Sequence, residues 1–148
     1  MSGYQIVSIE DSALEDVNAT YASQEFLPSD PARDRTWGVL EAGEWIALGR
    51  LQRYPDGAYE IGGFWVEQRH RGRGLARALV RCVLEHVPDG AEAWCIPYDH
   101  LTGFYLGFGM QRVTDPSQAP SSIRAKLDWC AGNWNEGTCA GTQLLRWV

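Results

Sequence analysis

Apolar and polar positions along this chain fall into alternating runs, a few helical stripes and turn clusters. Residues Tyr4 to Ile9 have strand-like composition with ambiguous alternation. Asp11 or Ser12 then has the character of an N-cap, and Leu14, Val17, Tyr21 and Ala22 recur at helical spacing. The spacing predicts a helix from about Ala13 to Phe26, ended by Pro28-Ser29-Asp30-Pro31. Three strand-like runs follow: Thr36 to Glu41, Glu44 to Tyr54 and Ala58 to Glu67. They are separated by Ala42-Gly43 and Pro55-Asp56-Gly57, which predict short turns and hence an antiparallel meander. Gly62 and Gly63 inside the third run predict a bulge or a close backbone approach.

The strongest helical period runs from Leu75 to Val87. Leu75, Leu79, Cys82 and His86, supported by Ala78, mark one face, and Arg77, Arg81 and Glu85 mark a solvated stripe. Pro88-Asp89-Gly90 stops it. Beyond lie a short buried strand at Ala91 to Ile96, a short aromatic-rich helix at His100 to Phe108 and a strand at Gln111 to Thr114. Ser121 or Ser122 is positioned to cap a helix reaching about Cys130, and Thr142 to Val148 reads as a closing strand. A meander followed by alternating strand and helix predicts an α/β (α+β) domain with a mixed sheet covered by helices. With 148 residues and neither repeat nor linker, a single domain spanning 1–148 is expected.

The composition, 45% hydrophobic and 22% charged, is that of an ordinary globular chain and excludes collagen-like and low-complexity classes. No apolar run is long enough for a membrane span, and the first residues lack the basic and apolar regions of a secretory signal. A cytoplasmic protein is expected. The net charge of -6 makes nucleic acid an unfavourable partner. Lys126 is the sole lysine against twelve arginines, a bias associated with GC-rich coding and so with a bacterium. Cys82, Cys95, Cys130 and Cys139 form no CxxC pair, and no histidine cluster accompanies them, so no metal site is expected. Cys82 and Cys95 read as small buried hydrophobes, and a bridge between Cys130 and Cys139 is conceivable from the loop between them.

Charge distribution changes the picture. Arg69, Arg71, Arg73, Arg77 and Arg81 cluster in an otherwise acidic chain, around Gly72 and Gly74 at the start of the strongest helix. The first turn of a helix leaves backbone N–H groups unpaired and carries partial positive charge. Glycines there let a phosphate approach those donors. The dinucleotide fingerprint GxGxxG fails, because Arg77 stands where the third glycine belongs, and the P-loop pattern is absent.

The pattern Arg69-x-x-Gly72-x-Gly74 resembles the acyl-CoA loop of the GCN5-related N-acetyltransferases, whose signature opens the long central helix. It follows a strand ending Trp65-Val66, as in that family. Phe104-Tyr105-Leu106-Gly107-Phe108-Gly109-Met110 resembles the family's Phe-Tyr-x-x-x-Gly-Phe segment, with Met110 where Phe is usual. The resemblance covers about Trp37 to Thr114. It implies a mixed, mostly antiparallel sheet whose central strands splay at the Val66 end, with acetyl-CoA as acyl donor. The backbone of Trp65, Val66 and Glu67 would hold the pantetheine and thioester. The segment Arg71, Gly72, Arg73, Gly74, Leu75 and Ala76 would hold the pyrophosphate. Tyr105 would contact the donor and protonate the leaving thiolate. Tyr98 replaces an asparagine frequent in the family, which puts in doubt any contact made there.

An attacking alkyl amine has a pKa of roughly 10 and must lose a proton. Glu60, an even number of residues before Val66 on one strand, stands where some family members carry the base. Read from the residues alone it is equally a solvated strand glutamate. Asp99 and His100 lie near the same segment, His100 as a surface or capping residue. The resemblance implies an N-acetyltransferase acting on a primary amine of a small molecule or peptide, by direct transfer in a ternary complex. The alternative is a non-catalytic acyl-CoA-binding module of the same fold. The acceptor side is expected among Tyr21 to Phe26, the Pro-rich loop, Trp37, Trp45 and the loop around Trp134. No feature points to nucleic acid or membrane. Homodimers occur among such proteins, and no stretch of this chain marks an interface.

Overall fold

The strand-like runs form strands and the helically periodic stretches form helices in the computed structural model, which describes residues 4–133 and 143–148. The strands are β1 (Ile6–Ser8), β2 (Asp34–Glu41), β3 (Glu44–Arg53), β4 (Tyr59–Val66), β5 (Ala93–Cys95), β6 (Gln111–Arg112) and β7 (Leu145–Trp147). The helices are α1 (Leu14–Ser23), α2 (Leu75–Glu85), α3 (Thr102–Leu106) and α4 (Ser121–Asn133). Hydrogen bonding orders the strands β1-β2-β3-β4-β5-β7-β6. β1–β2, β2–β3, β5–β7 and β6–β7 pair antiparallel and β4–β5 pairs in parallel, so the sheet is mixed and mostly antiparallel, with helices flanking it.

The chain divides into two compact units, residues 1–52 with 63–86, and residues 53–62 with 87–148; β4 runs through both. In the first unit the turn at Ala42 and Gly43 joins β2 to β3 as a tight antiparallel pair, Glu41 facing Glu44. β3 is buried along nearly its whole length, which explains its continuous apolar run. Leu75, Leu79, Val80, Val83 and Leu84 are the buried positions of α2. The expected stripe through Cys82 and His86 is therefore rotated: Cys82 is half-buried and His86 exposed, because the two valines and Leu84 offer more apolar surface than a thiol and an imidazole. His86 instead lies against Trp37, ring centroids 4.6 Å apart. Burial pushes the Cys82 thiol up.

In the second unit Ala58, Trp94, Ile96, Ala119, Ile123, Cys130 and Leu144 form a core with Tyr54, Val113 and Leu127 against it. Here β4 pairs in parallel with β5 through Tyr59–Ala93 and Glu60–Trp94. β7 pairs antiparallel with β5 and β6.

Two expectations on α1 fail. Asp11 and Ser12 lie in a 3-10 turn, Asp11–Ala13, and the helix starts at Leu14 with no side-chain cap. It ends at Ser23 rather than Phe26, where Glu25 takes a positive φ of 63°. The amides of Gln24 and Phe26 fold back to the Tyr21 carbonyl and close the helix there. Cys139 and Trp134 lie outside the described residues, and with them the conceivable Cys130–Cys139 bridge and the acceptor role of the Trp134 loop. Among the described residues no helix is long and apolar enough to cross a membrane.

Candidate active site

In the first unit β4 ends at Val66, a 3-10 turn spans Gln68–His70, and the chain enters α2 through Arg71-Gly72-Arg73-Gly74. Gly72 and Gly74 take φ of 84° and 81°, a region that L side chains rarely adopt. A Cβ at either would meet nothing within 4 Å, so the turn needs glycine for its backbone angles and the space before it is open. Gly74 is the N-cap of α2 and brings no side-chain cap, and no acidic residue occupies the first turn. The first bond into the helix runs from the Ala78 amide to the Gly74 carbonyl, so the amides of Leu75 and Ala76 precede any intrahelical acceptor. A helix terminus of this kind attracts negative charge.

The arginines around it are less free than their clustering predicts. Arg71 donates through Nε to the Val66 carbonyl at 3.1 Å, and Arg69 to Glu67 at 3.1 Å. Arg73 meets Glu41 at 3.0 Å and His70 Nδ1 at 2.7 Å. Desolvation would raise the Glu67 carboxyl, but the Arg69 hydrogen bonds and the Arg69 and His70 charges outweigh it and hold it below its usual range. Glu67 is anchored through its amide to the Ile46 carbonyl at 2.8 Å. Trp65 packs against Val17, Tyr21 and Leu48, so its indole serves the core and its backbone is what a ligand could use.

Three residues before Val66 the same strand departs from regular geometry. Gly63 has φ of 62°, and a Cβ there would stand 2.8 Å from Arg50 Nε and 2.8 Å from the Tyr21 hydroxyl. Of the bulge or close approach expected at the glycine pair, the close approach is found at Gly63. Tyr21 donates to the Gly63 carbonyl at 2.8 Å, and the Arg50 guanidinium lies over the Tyr21 ring, 4.6 Å from its centroid. Burial raises the Tyr21 phenol far above its ordinary value despite the Arg50 charge.

In the second unit Tyr105 sits on α3 between Phe104 and the apolar interior, only 6% exposed. Burial, with a contribution from Cys95, raises its phenol well above 10. It therefore holds its proton through the physiological range and can act only as an acid there. Glu60 is 2% exposed, which removes the solvated-glutamate reading. Tyr54 donates to Oε1 at 2.6 Å and Lys126 to Oε2 at 2.5 Å. Burial also pushes the Cys95 thiol up, followed by the Glu60 charge, so Cys95 is an inert thiol. Asp99 accepts from Gln143 at 2.7 Å, and exposed His100 stacks on Tyr98.

A sequence profile described as the acetyltransferase (GNAT) family matches residues 4–109. The chain belongs to the acetyltransferase (GNAT) family. No curated protein matches the sequence. Among solved structures, N-acetylglutamate synthase from Neisseria gonorrhoeae, complexed with coenzyme A and N-acetyl-glutamate, is 12% identical with a TM-score of 0.71. The alignment covers 99% of this chain and 35% of that one, so this GNAT chain spans about a third of that protein. Escherichia coli ElaA is 19% identical over 100% of both chains, TM-score 0.64. Arabidopsis thaliana Naa50, in complex with a bisubstrate analogue, is 13% identical over 98% of both, TM-score 0.64. These likenesses establish a shared GNAT fold.

Sequence reasoning placed the GNAT loop and the Phe-Tyr segment but missed Arg50, Tyr54 and the partnership of Lys126 with Glu60. Arg50 carried a signal: it is a cation inside the long, otherwise apolar centre of β3, which two-sided burial makes costly. The Lys126–Glu60 pair joins residues 66 apart and has no local signature.

Proposed function

We propose that this GNAT protein is an acetyl-CoA-dependent N-acetyltransferase that acetylates a primary amine of a small molecule or peptide by direct transfer in a ternary complex. The observation that carries the reading is the turn at Gly72 and Gly74. It opens a helix with its first amides unspent, no side-chain cap and open space in front. Acyl-CoA fits those residues: its pyrophosphate would be held by the amides of the Arg71 to Ala76 segment, with Arg71 and Arg73 adding charge. The backbone of Trp65, Val66 and Glu67 is assigned to pantetheine and thioester. Bound coenzyme A in N-acetylglutamate synthase and a bisubstrate analogue in Naa50 support the donor and the two-substrate complex.

In this reading the amine nitrogen attacks the thioester carbonyl carbon, the C–S bond breaks, and Tyr105 gives its proton to the departing thiolate. Glu60 takes the amine's proton through Tyr54 or water, because both its oxygens are already engaged. The reading needs no metal, is tied to the cytoplasm, and leaves nucleic acid and membrane without a part; a homodimer is compatible with it. The test is the Tyr105→Phe variant, assayed for thiol release and for acetyl-CoA affinity by calorimetry. A loss of kcat of roughly 100-fold or more with affinity kept is expected. Unchanged turnover would remove the assigned role, and acetyl-CoA binding without turnover on any amine by the wild type would favour the non-catalytic module.

A further inference from the structure

Arg50 is the buried charge that the acetyl-transfer machinery does not use. It is 4% exposed in the centre of β3. Its Nη1 donates to the Leu27 carbonyl at 2.8 Å and to the Ser29 hydroxyl at 3.1 Å. Ser29 is fixed by α1, because Asn18 accepts from the Ser29 amide at 2.7 Å and donates to its carbonyl at 3.0 Å. The rest of the guanidinium is unspent: Nε is sealed from water with no hydrogen-bond partner, and no hydrogen bond from Nη2 to a described residue exists. Among the described residues no carboxylate lies within ion-pair distance of Arg50. Asp34 is the nearby acid, as its influence on Tyr21 shows. Its oxygens are taken by Arg33 Nε at 2.8 Å, Arg33 Nη2 at 3.0 Å and the Asp30 amide at 2.9 Å. Tyr21, the other titratable neighbour, is neutral and its hydroxyl already donates to Gly63.

Two hydrogen bonds and the Tyr21 ring offset only part of the cost of burying this charge, which favours an anionic partner from outside the chain. The free edge specifies which. Nε–H and the Nη2–H beside it point in parallel and match the two oxygens of a carboxylate. Arg33 grips Asp34 with that same pair of nitrogens. Gly63 packs close beside that edge and, lacking a Cβ, leaves room there, since a Cβ would stand 2.8 Å from both Nε and the Tyr21 hydroxyl. Leu27, 52% exposed, supplies apolar surface beside the carbonyl that Arg50 holds.

We propose that Arg50 recognises a carboxylate on the acceptor, so that the amine acetylated belongs to an amino acid or a peptide with a nearby carboxylate. This rests on the acetyltransferase reading above. The experiment measures thiol release from acetyl-CoA with amino acids, their carboxamides and the corresponding decarboxylated amines, with an amino sugar phosphate as the phosphate arm. The acids are expected to exceed the amides in kcat/KM by roughly ten- to a hundredfold, the size of a charged hydrogen bond. Arg50→Met should erase that margin through KM, bringing the acids down to the level of the amides, and Arg50→Lys should restore part of it. Amides turned over as well as acids, an equal loss on both in Arg50→Met, or a preference for the phosphate-bearing amine would each overturn the proposal. Should Arg50→Met fail to fold, thermal unfolding of the wild type with acids against amides decides the matter: selective stabilisation by the acids supports it, and none overturns it. That same arm separates the two readings, because absent acetyl-CoA turnover on every amine sinks acyl transfer while carboxylate binding is still read.

Discussion

Glu60 and Tyr105 show how much a residue's surroundings decide what it can do. Two groups named from position along a motif turn out to be buried, and burial acts on them differently. For Tyr105 it fixes the proton, raising the phenol above its ordinary 10; as pH climbs past that value the unfolded chain ionises and the native one resists, so stability falls there. For Glu60 burial is answered by partners, Tyr54 and Lys126, which hold both oxygens. Residue spacing indicated the strand position but not this cage, because Lys126 arrives from α4. The Glu60→Gln variant separates a base from an anchor. If Glu60 is the base, the loss in kcat/KM is greatest near neutral pH and shrinks towards about pH 10, where the amine deprotonates unaided. A loss independent of pH would leave Glu60 as a positioning residue for Lys126. Denaturant unfolding of the same variant should show destabilisation of about 1–3 kcal/mol, since Lys126 loses the Glu60 carboxylate.

Elements were legible where one chain segment carries its own instructions. The β2–β3 hairpin and the break before α2 follow from Ala42-Gly43 and Gly72-x-Gly74, whose turns fix them locally. Helix limits were less legible, because caps can come from afar. Ser121 or Ser122 was expected to cap α4, and the first turn is met by Asp56 from the β3–β4 turn. Asp56 accepts from the Ser122 amide at 3.0 Å, the Ser122 hydroxyl at 3.0 Å and the Ser121 hydroxyl at 3.3 Å. Those bonds, the Ser122 amide first, hold the Asp56 carboxyl below its ordinary 3.8. A lowered carboxyl stabilises the fold above its unfolded value and ceases to as pH falls through the folded one. Asp56→Ala should therefore cost about 1 kcal/mol at neutral pH by denaturant unfolding, with the difference vanishing in acid below pH 3.8. A cost that persists in acid would assign the effect to packing instead.

For the whole molecule, a net charge of -6 concealed a basic stretch, and the structure refines that stretch in turn. Glu41 and Glu67 are threaded among Arg69 and Arg73, so the proposed anion site at the α2 terminus rests on backbone amides more than on arginine count. The family was readable because the loop and the Phe-Tyr segment are short and local. Arg50 was not, because its meaning depends on which carboxylates fold near it. The central claim, an acyl-CoA site at the start of α2, is tested most directly by calorimetric titration of acetyl-CoA into the wild type and into Gly74→Ala. The account predicts saturable one-site binding by the wild type. It predicts affinity weaker by roughly tenfold in the variant, because alanine disfavours the left-handed turn that presents the amides. No saturable heat from the wild type at millimolar acetyl-CoA, or equal affinity in the two proteins, would contradict it.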